Sequence, residues 1–261
     1  MVELWSLQHL KTLPIAILVM IVVAIILRKC LINKPLKIRA IPFFVVSALL
    51  FILEIFKQVI SFADGEYDLY HIPLHYCSIL IFVPLFASLY IYFGKPEKQS
   101  KVMSLAVATC TATALLTVIY PCLIYGSWNI ENFFNSFFDF HTVAFHNLVI
   151  FAAILLVALN LHKPNFKENK LTIILFIIGF CLISSVMAQI LKTNFANFYQ
   201  CNIPPLESLR QMVASALGYW PAQIVYIVIN SSLNLAFTIG SYFAYKLFNN
   251  IFNKKLIAKE D

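Results

Sequence analysis

Residues Leu13–Leu27 read LPIAILVMIVVAIIL: fifteen positions without one charged or hydrogen-bonding side chain, closed by Arg28 and Lys29. Taken over 12–32 the run is long enough, as a helix rising 1.5 Å per residue, to cross a hydrocarbon layer of about 30 Å. Lys11 alone precedes it and no small-x-small cleavage site follows. A retained helix is therefore expected, not a removed signal peptide. Six further runs share this character, at 40–62, 72–93, 102–125, 141–161, 171–191 and 219–246. Backbone polar groups in lipid must pair within their own segment, so each run is expected to be a helix.

Composition agrees. Hydrophobic residues make up 61% of the 261, charged residues 12%, and the mean hydropathy is +0.83. Soluble domains carry about a quarter charged residues. The expected fold is an all-α, seven-helix transmembrane bundle. It forms a single integral membrane domain over 1–261, since the spans leave no room for another.

Lysine and arginine set the expected orientation. The connections after the first, third and fifth runs, with the tail, hold fifteen of them, including Arg28, Lys34, Lys95, Lys98, Lys163, Lys167, Lys254 and Lys259. The opposite side holds Lys11, Lys192 and Arg210, with acidic Asp64, Glu66, Asp68, Glu131 and Asp139. The N-terminus is thus expected outside and the C-terminus in the cytoplasm of a multi-pass cell-membrane protein. The net charge of +7 then faces anionic inner-leaflet lipid. It is split among short loops and makes no nucleic-acid-binding face.

Several function classes are excluded. There is no Gly-x-Ser-x-Gly, His-Glu-x-x-His or Walker loop. Trp220–Tyr245 holds no lysine for a retinal Schiff base. The six cysteines form no CxxC pair. A Cys122–Cys201 disulfide is compatible with the topology but not expected.

Polar residues far apart in sequence converge on the outer level. Glu54 and Lys57 in the second run are three apart, so they share a helix face and can pair, with Gln58 beside them. A lone charge at mid-bilayer costs about 2.5–3.5 kcal/mol, which forces pairing and an inward orientation. The third run opens on Tyr70-His-Ile-Pro-Leu-His-Tyr-Cys77. On a regular helix His75 and Cys77 diverge, so a base for a Cys77 nucleophile is sought on the fifth run, where His141 and His146 lie. These two are five apart, and only one is expected to enter a common site. His75 or Asn194 is the candidate oxyanion donor. His71 and His75 also have zinc-compatible spacing, opposed by the intervening Pro73.

With these residues stated, the chain resembles the YwaF-like integral membrane family, whose eukaryotic relatives include transmembrane protein 164. The resemblance rests on EIFKQ (Glu54–Gln58), IPLHYCSI (Ile72–Ile79), ALLT (Ala114–Thr117), FHTVAFHNL (Phe140–Leu148), TNFANF (Thr193–Phe198) and LGYWP (Leu217–Pro221), over about residues 50–225. No counterpart for the first span or the tail is expected. The resemblance implies a cysteine-dependent acyltransferase or acyl hydrolase acting on phospholipid acyl chains through a thioester. Cys77 would be the nucleophile and His146 or His141 the base. Membrane lipid is the implied substrate and partner, and no cofactor or metal is called for. Two alternatives stand: a proton-coupled transporter or small-molecule-binding protein built on Glu54, Lys57 and His146, and a zinc-dependent hydrolase using His71, His75 and His146.

Overall fold

The computed structural model describes residues 5–65, 67–94, 96–122, 136–202 and 204–257. Among the described residues seven helices are long and apolar enough to cross a membrane, and there is no strand. We number the helices α1 (Leu7–Leu31), α2 (Ile41–Ala63), α3 (Ile79–Phe93), α4 (Pro96–Ile119), α5 (Phe137–Ala158), α6 (Phe166–Leu191), α7 (Pro204–Leu217) and α8 (Tyr219–Ile257). A one-turn helix, Leu36–Arg39, joins α1 to α2. Of the charges that set the expected orientation, Glu66, Lys95, Glu131 and Lys259 lie outside the described residues, as does the end of the 102–125 run.

Local chemistry fixes the helix starts. The Ser6 hydroxyl accepts the His9 amide at the head of α1, and the His9 ring accepts the Ser6 amide in return. Ser136 caps α5 through the Asp139 amide, and Asn165 caps α6 through the Glu168 amide. Gly218, at φ +88°, ends α7 in the left-handed region and lets α8 begin at the next residue.

Side-chain size decides which helix is central. α4 reads SLAVATCTAT over Ser104–Thr113. Small residues let backbones approach closely in a membrane, where apolar attraction alone selects no partner. Accordingly α4 packs against α3, α5, α6 and α8, with Ala106, Ala108, Cys110 and Ala112 fully buried. The Thr109 and Thr117 hydroxyls donate to the carbonyls four residues back, which satisfies them within the helix. α1 is the opposite case. Bulky Ile, Leu and Val point outward over most of its surface, and its main neighbour is α5, met through Leu13 and Ile17.

The structure departs from the sequence expectations in three places. The third span does not begin as a helix at 72. Ile72, held extended by Pro73 (φ −58°, ψ 131°), follows a 3₁₀ turn Leu69–His71, and a second turn, Tyr76–Ser78, leads into α3. The amphipathic α7 was not anticipated. The last helix runs on to Ile257. Cys122 and Cys201 are not joined.

Candidate functional site

The end of the bundle where α1 begins holds a cavity of about 330 Å³. Its wall draws on α2, the 70–78 segment, α4, α5 and the 194–202 loop. Cys77, His75, His141, His146, Glu54, Lys57 and Asn194 all line it; Gln58 does not.

Glu54 is the hub of the α2 side. It is 6% exposed, and its two oxygens do different work. Oε1 receives the Lys57 ammonium at 2.8 Å and the Gln58 amide at 2.7 Å. Oε2 stands 3.6 Å from His141 Nε2, at ion-pair distance and beyond a hydrogen bond. Gln58 also donates to the His71 carbonyl (2.6 Å) and accepts from the Tyr67 hydroxyl (2.9 Å). It therefore acts behind the cavity wall, holding Glu54 to the loop.

Both α5 histidines face the cavity, although the five-residue spacing led us to expect only one. The site is wide enough to take residues one and a half turns apart. Their settings differ. His146 Nδ1 lies 2.8 Å from the Thr142 carbonyl one turn earlier. A carbonyl can only accept, so Nδ1 carries the proton and Nε2 carries the lone pair. His141 instead stacks on Phe145, at 5.6 Å between ring centroids, and belongs to the Glu54–Lys57 charge cluster.

His75 has an extended backbone at the mouth of α3 (φ −81°, ψ 157°), not a helical one. The expected divergence from Cys77 along a helix therefore does not apply. Its Nε2 lies 3.0 Å from the Tyr70 carbonyl and must donate, leaving Nδ1 as the acceptor. The Tyr70 ring covers His75 at 4.2 Å. Burial lowers the pKa of His75 and favours the neutral ring. Neutral and already donating from Nε2, His75 is not set to donate to an oxyanion. Nor is Asn194. Its Oδ1 accepts the Tyr199 and Gln200 amides and its Nδ2 donates to Asn197 and Asn202. It organises the loop.

Cys77 sits in the turn Tyr76–Ser78, which continues into α3 as one helical run, Tyr76–Phe93. The first N–H groups of such a run have no partner within it and favour negative charge. Ser78 lines the cavity beside the thiol. The segment is clamped from outside: Ser184 on α6 donates to the Leu74 carbonyl (3.0 Å), and the Tyr76 hydroxyl meets Thr238 on α8.

His71 also lines the cavity. Its Nδ1 bonds the Ser61 hydroxyl at 2.6 Å and its ring stacks on Phe138. Among the described residues no three His, Cys, Asp or Glu side chains gather as a metal-ligand set.

The far wall is a strained loop. Ala196 (φ 46°) and Asn197 (φ 61°) are consecutive left-handed residues, a cost for alanine that neighbours must offset. Gln189 and Gln223 donate to the Phe198 carbonyl, Tyr226 to that of Asn197, and Asn230 to that of Ala196. Glu207 on α7 accepts the Cys201 amide (2.9 Å) and is itself held by Arg210.

Ser78, Thr142 and Tyr70 escaped the sequence reading. A histidine on a helix can reach the carbonyl four residues back, so Thr142 was inferable from His146. The other two carried no signal.

No curated protein and no solved structure matches the chain significantly. The profile of the TMEM164 family matches residues 4–242. That match exceeds the 50–225 stretch bearing the sequence motifs and takes in α1, for which no counterpart was expected. Seven apolar helices in a bilayer setting, with a match over nearly the whole chain, make this multi-pass membrane protein a member of the TMEM164 family.

Proposed function

We propose that the protein is a cysteine-dependent lipid acyltransferase or acyl hydrolase of the cell membrane, working at the outer leaflet. Within its family we place it with the YwaF-like branch, on the PLHYC element with His75 two residues before the cysteine. The observation that carries the reading is that Cys77, at the start of a helical run, opens into the same cavity as His146, whose Nε2 holds the lone pair.

His146 takes the thiol proton as Sγ attacks an ester carbonyl. The tetrahedral oxyanion is met by the Tyr76 and Cys77 N–H groups at the head of the run, the Ser78 N–H being held by the His75 carbonyl; the role thus moves from the His75 and Asn194 side chains. Collapse breaks the ester C–O bond, and the imidazolium returns its proton to the departing alkoxide. A thioester on Cys77 remains, to be taken by water or by a hydroxyl-bearing lipid.

Purified protein in phospholipid vesicles carrying radiolabelled acyl chains tests this. A hydroxylamine-sensitive acyl adduct is expected on Cys77 and absent from Cys77→Ala. Equal labelling of Cys77→Ala, or labelling spread over Cys110 and Cys181, refutes it.

The Glu54–Lys57–His141 cluster favours a second reading, a proton-coupled or solute-binding site. Solute uptake that depends on Glu54 and is indifferent to Cys77→Ser would select it over the enzyme.

A further inference from the structure

We propose that His75 is a second base in the cavity, serving the acyl acceptor while His146 serves the thiol, so that the enzyme passes its acyl group to a hydroxyl instead of to water. The inference rests on the acyl-enzyme reading above. Both histidines have their protonated nitrogen fixed by a backbone carbonyl, Tyr70 for His75 and Thr142 for His146, so the second ring nitrogen of each carries a lone pair. Their depths differ. His146 is 7% exposed, on α5. His75 stands at the loop side of the same cavity, its bond to Tyr70 reaching the surface. Two peptide units separate it from Cys77, so the α-carbons are within about 7 Å whatever the side chains do. A single base suffices for thiol attack. A second one at the entrance suits a co-substrate that arrives after the first product has left.

In this step the acceptor O–H gives its proton to His75 Nδ1 as its oxygen attacks the thioester carbonyl. The tetrahedral intermediate collapses, the C–S bond breaks, and the Cys77 thiolate takes a proton back from the imidazolium. One ester forms, one thioester is lost, and no redox partner is needed. Burial, which favours the neutral imidazole, keeps the base in its working form. The acceptor class is a membrane-resident alcohol, such as a lysophospholipid with one free glycerol hydroxyl.

Gln at position 75 can keep the donor to the Tyr70 carbonyl and lacks the basic nitrogen. In His75→Gln, single-turnover formation of the Cys77 adduct is expected within about threefold of wild type. Transfer from the preformed adduct to added lysophosphatidylcholine is expected to fall at least about 100-fold, the usual worth of a general base, with slow hydrolysis taking over. His146→Gln should show the reverse, losing adduct formation. If His75→Gln transfers normally, or slows both half-reactions alike, the second base is refuted while the acyl-enzyme stands. If wild-type protein forms no adduct, both fall together.

Discussion

Glu54 Oε2 and His141 Nε2 face each other at 3.6 Å across the gap between α2 and α5, while Lys57 and Gln58 hold the other oxygen of the same carboxylate. Removing one partner of a buried ion pair leaves an uncompensated charge, at about 3–5 kcal/mol. Glu54→Gln should therefore destabilise the protein by that order in reversible unfolding from detergent. Glu54→Gln with Lys57→Met should recover most of it. Equal instability of the single and double variants would show that the pair does not act as a unit.

His146→Ala and His146→Gln separate packing from chemistry. Gln retains the volume and lacks the imidazole base. It should keep the unfolding midpoint within a few degrees and lower adduct formation on Cys77 by about 100-fold or more. The measurement is single-turnover acylation beside a thermal melt.

His162, in the 159–165 connection, bonds the Ser104 hydroxyl through Nε2 (2.8 Å), and its carbonyl accepts from Tyr245. Burial lowers its pKa to about 4, against roughly 6.5 in an unfolded chain. The unfolded state binds the extra proton between those values. The stability that His162 supplies is thus complete above about pH 6.5 and drains away as pH falls towards 4. His162→Gln should flatten the pH dependence of unfolding over that window; an unchanged slope would place the acid sensitivity elsewhere.

Glu207 ties the cavity loop to α7. Its hydrogen bonds with Arg210 lower its pKa to about 2, so its carboxylate keeps the Cys201 amide at any pH above the ordinary glutamate range and yields it only as pH falls towards 2. Glu207→Ala should speed hydrogen exchange at the Cys201 amide and across 194–202, with little change in α4. Unaltered exchange in that loop would show that Gln223, Tyr226 and Asn230 hold it unaided.

The close packing of α4 predicts intolerance of added volume. Ala108→Leu puts three extra carbons where exposure is nil and should cost about 1–3 kcal/mol. Ile15→Phe, on the outward face of α1, should cost little.

The seven spans were legible because lipid leaves few alternatives: a run such as Leu13–Leu27 can cross as a helix or not at all. The convergence of Glu54, Cys77 and His146 was legible for the same reason, since polar groups in such runs must find one another. What escaped was local. Pro73 falls just inside the expected start of the third span at 72, yet it holds Ile72 extended and shifts His75 and Cys77 off the regular helix. The fourteen residues of α7 are too few to span and too mixed to stand out. The division of labour between His141 and His146 turns on which acceptor lies beside each ring, and no spacing encodes that.

Arg28 donates to the Ala158 carbonyl at the end of α5 and to Asn253 and the Phe252 carbonyl near the end of α8. The first helix to emerge in synthesis thus carries a guanidinium whose acceptors come from the fifth and the last. Until the final helix threads into place that guanidinium has only the α5 carbonyl and water, so its bonding is completed last. A chain stopped short of Phe252 would keep the α1–α5 bond and lose both bonds to α8.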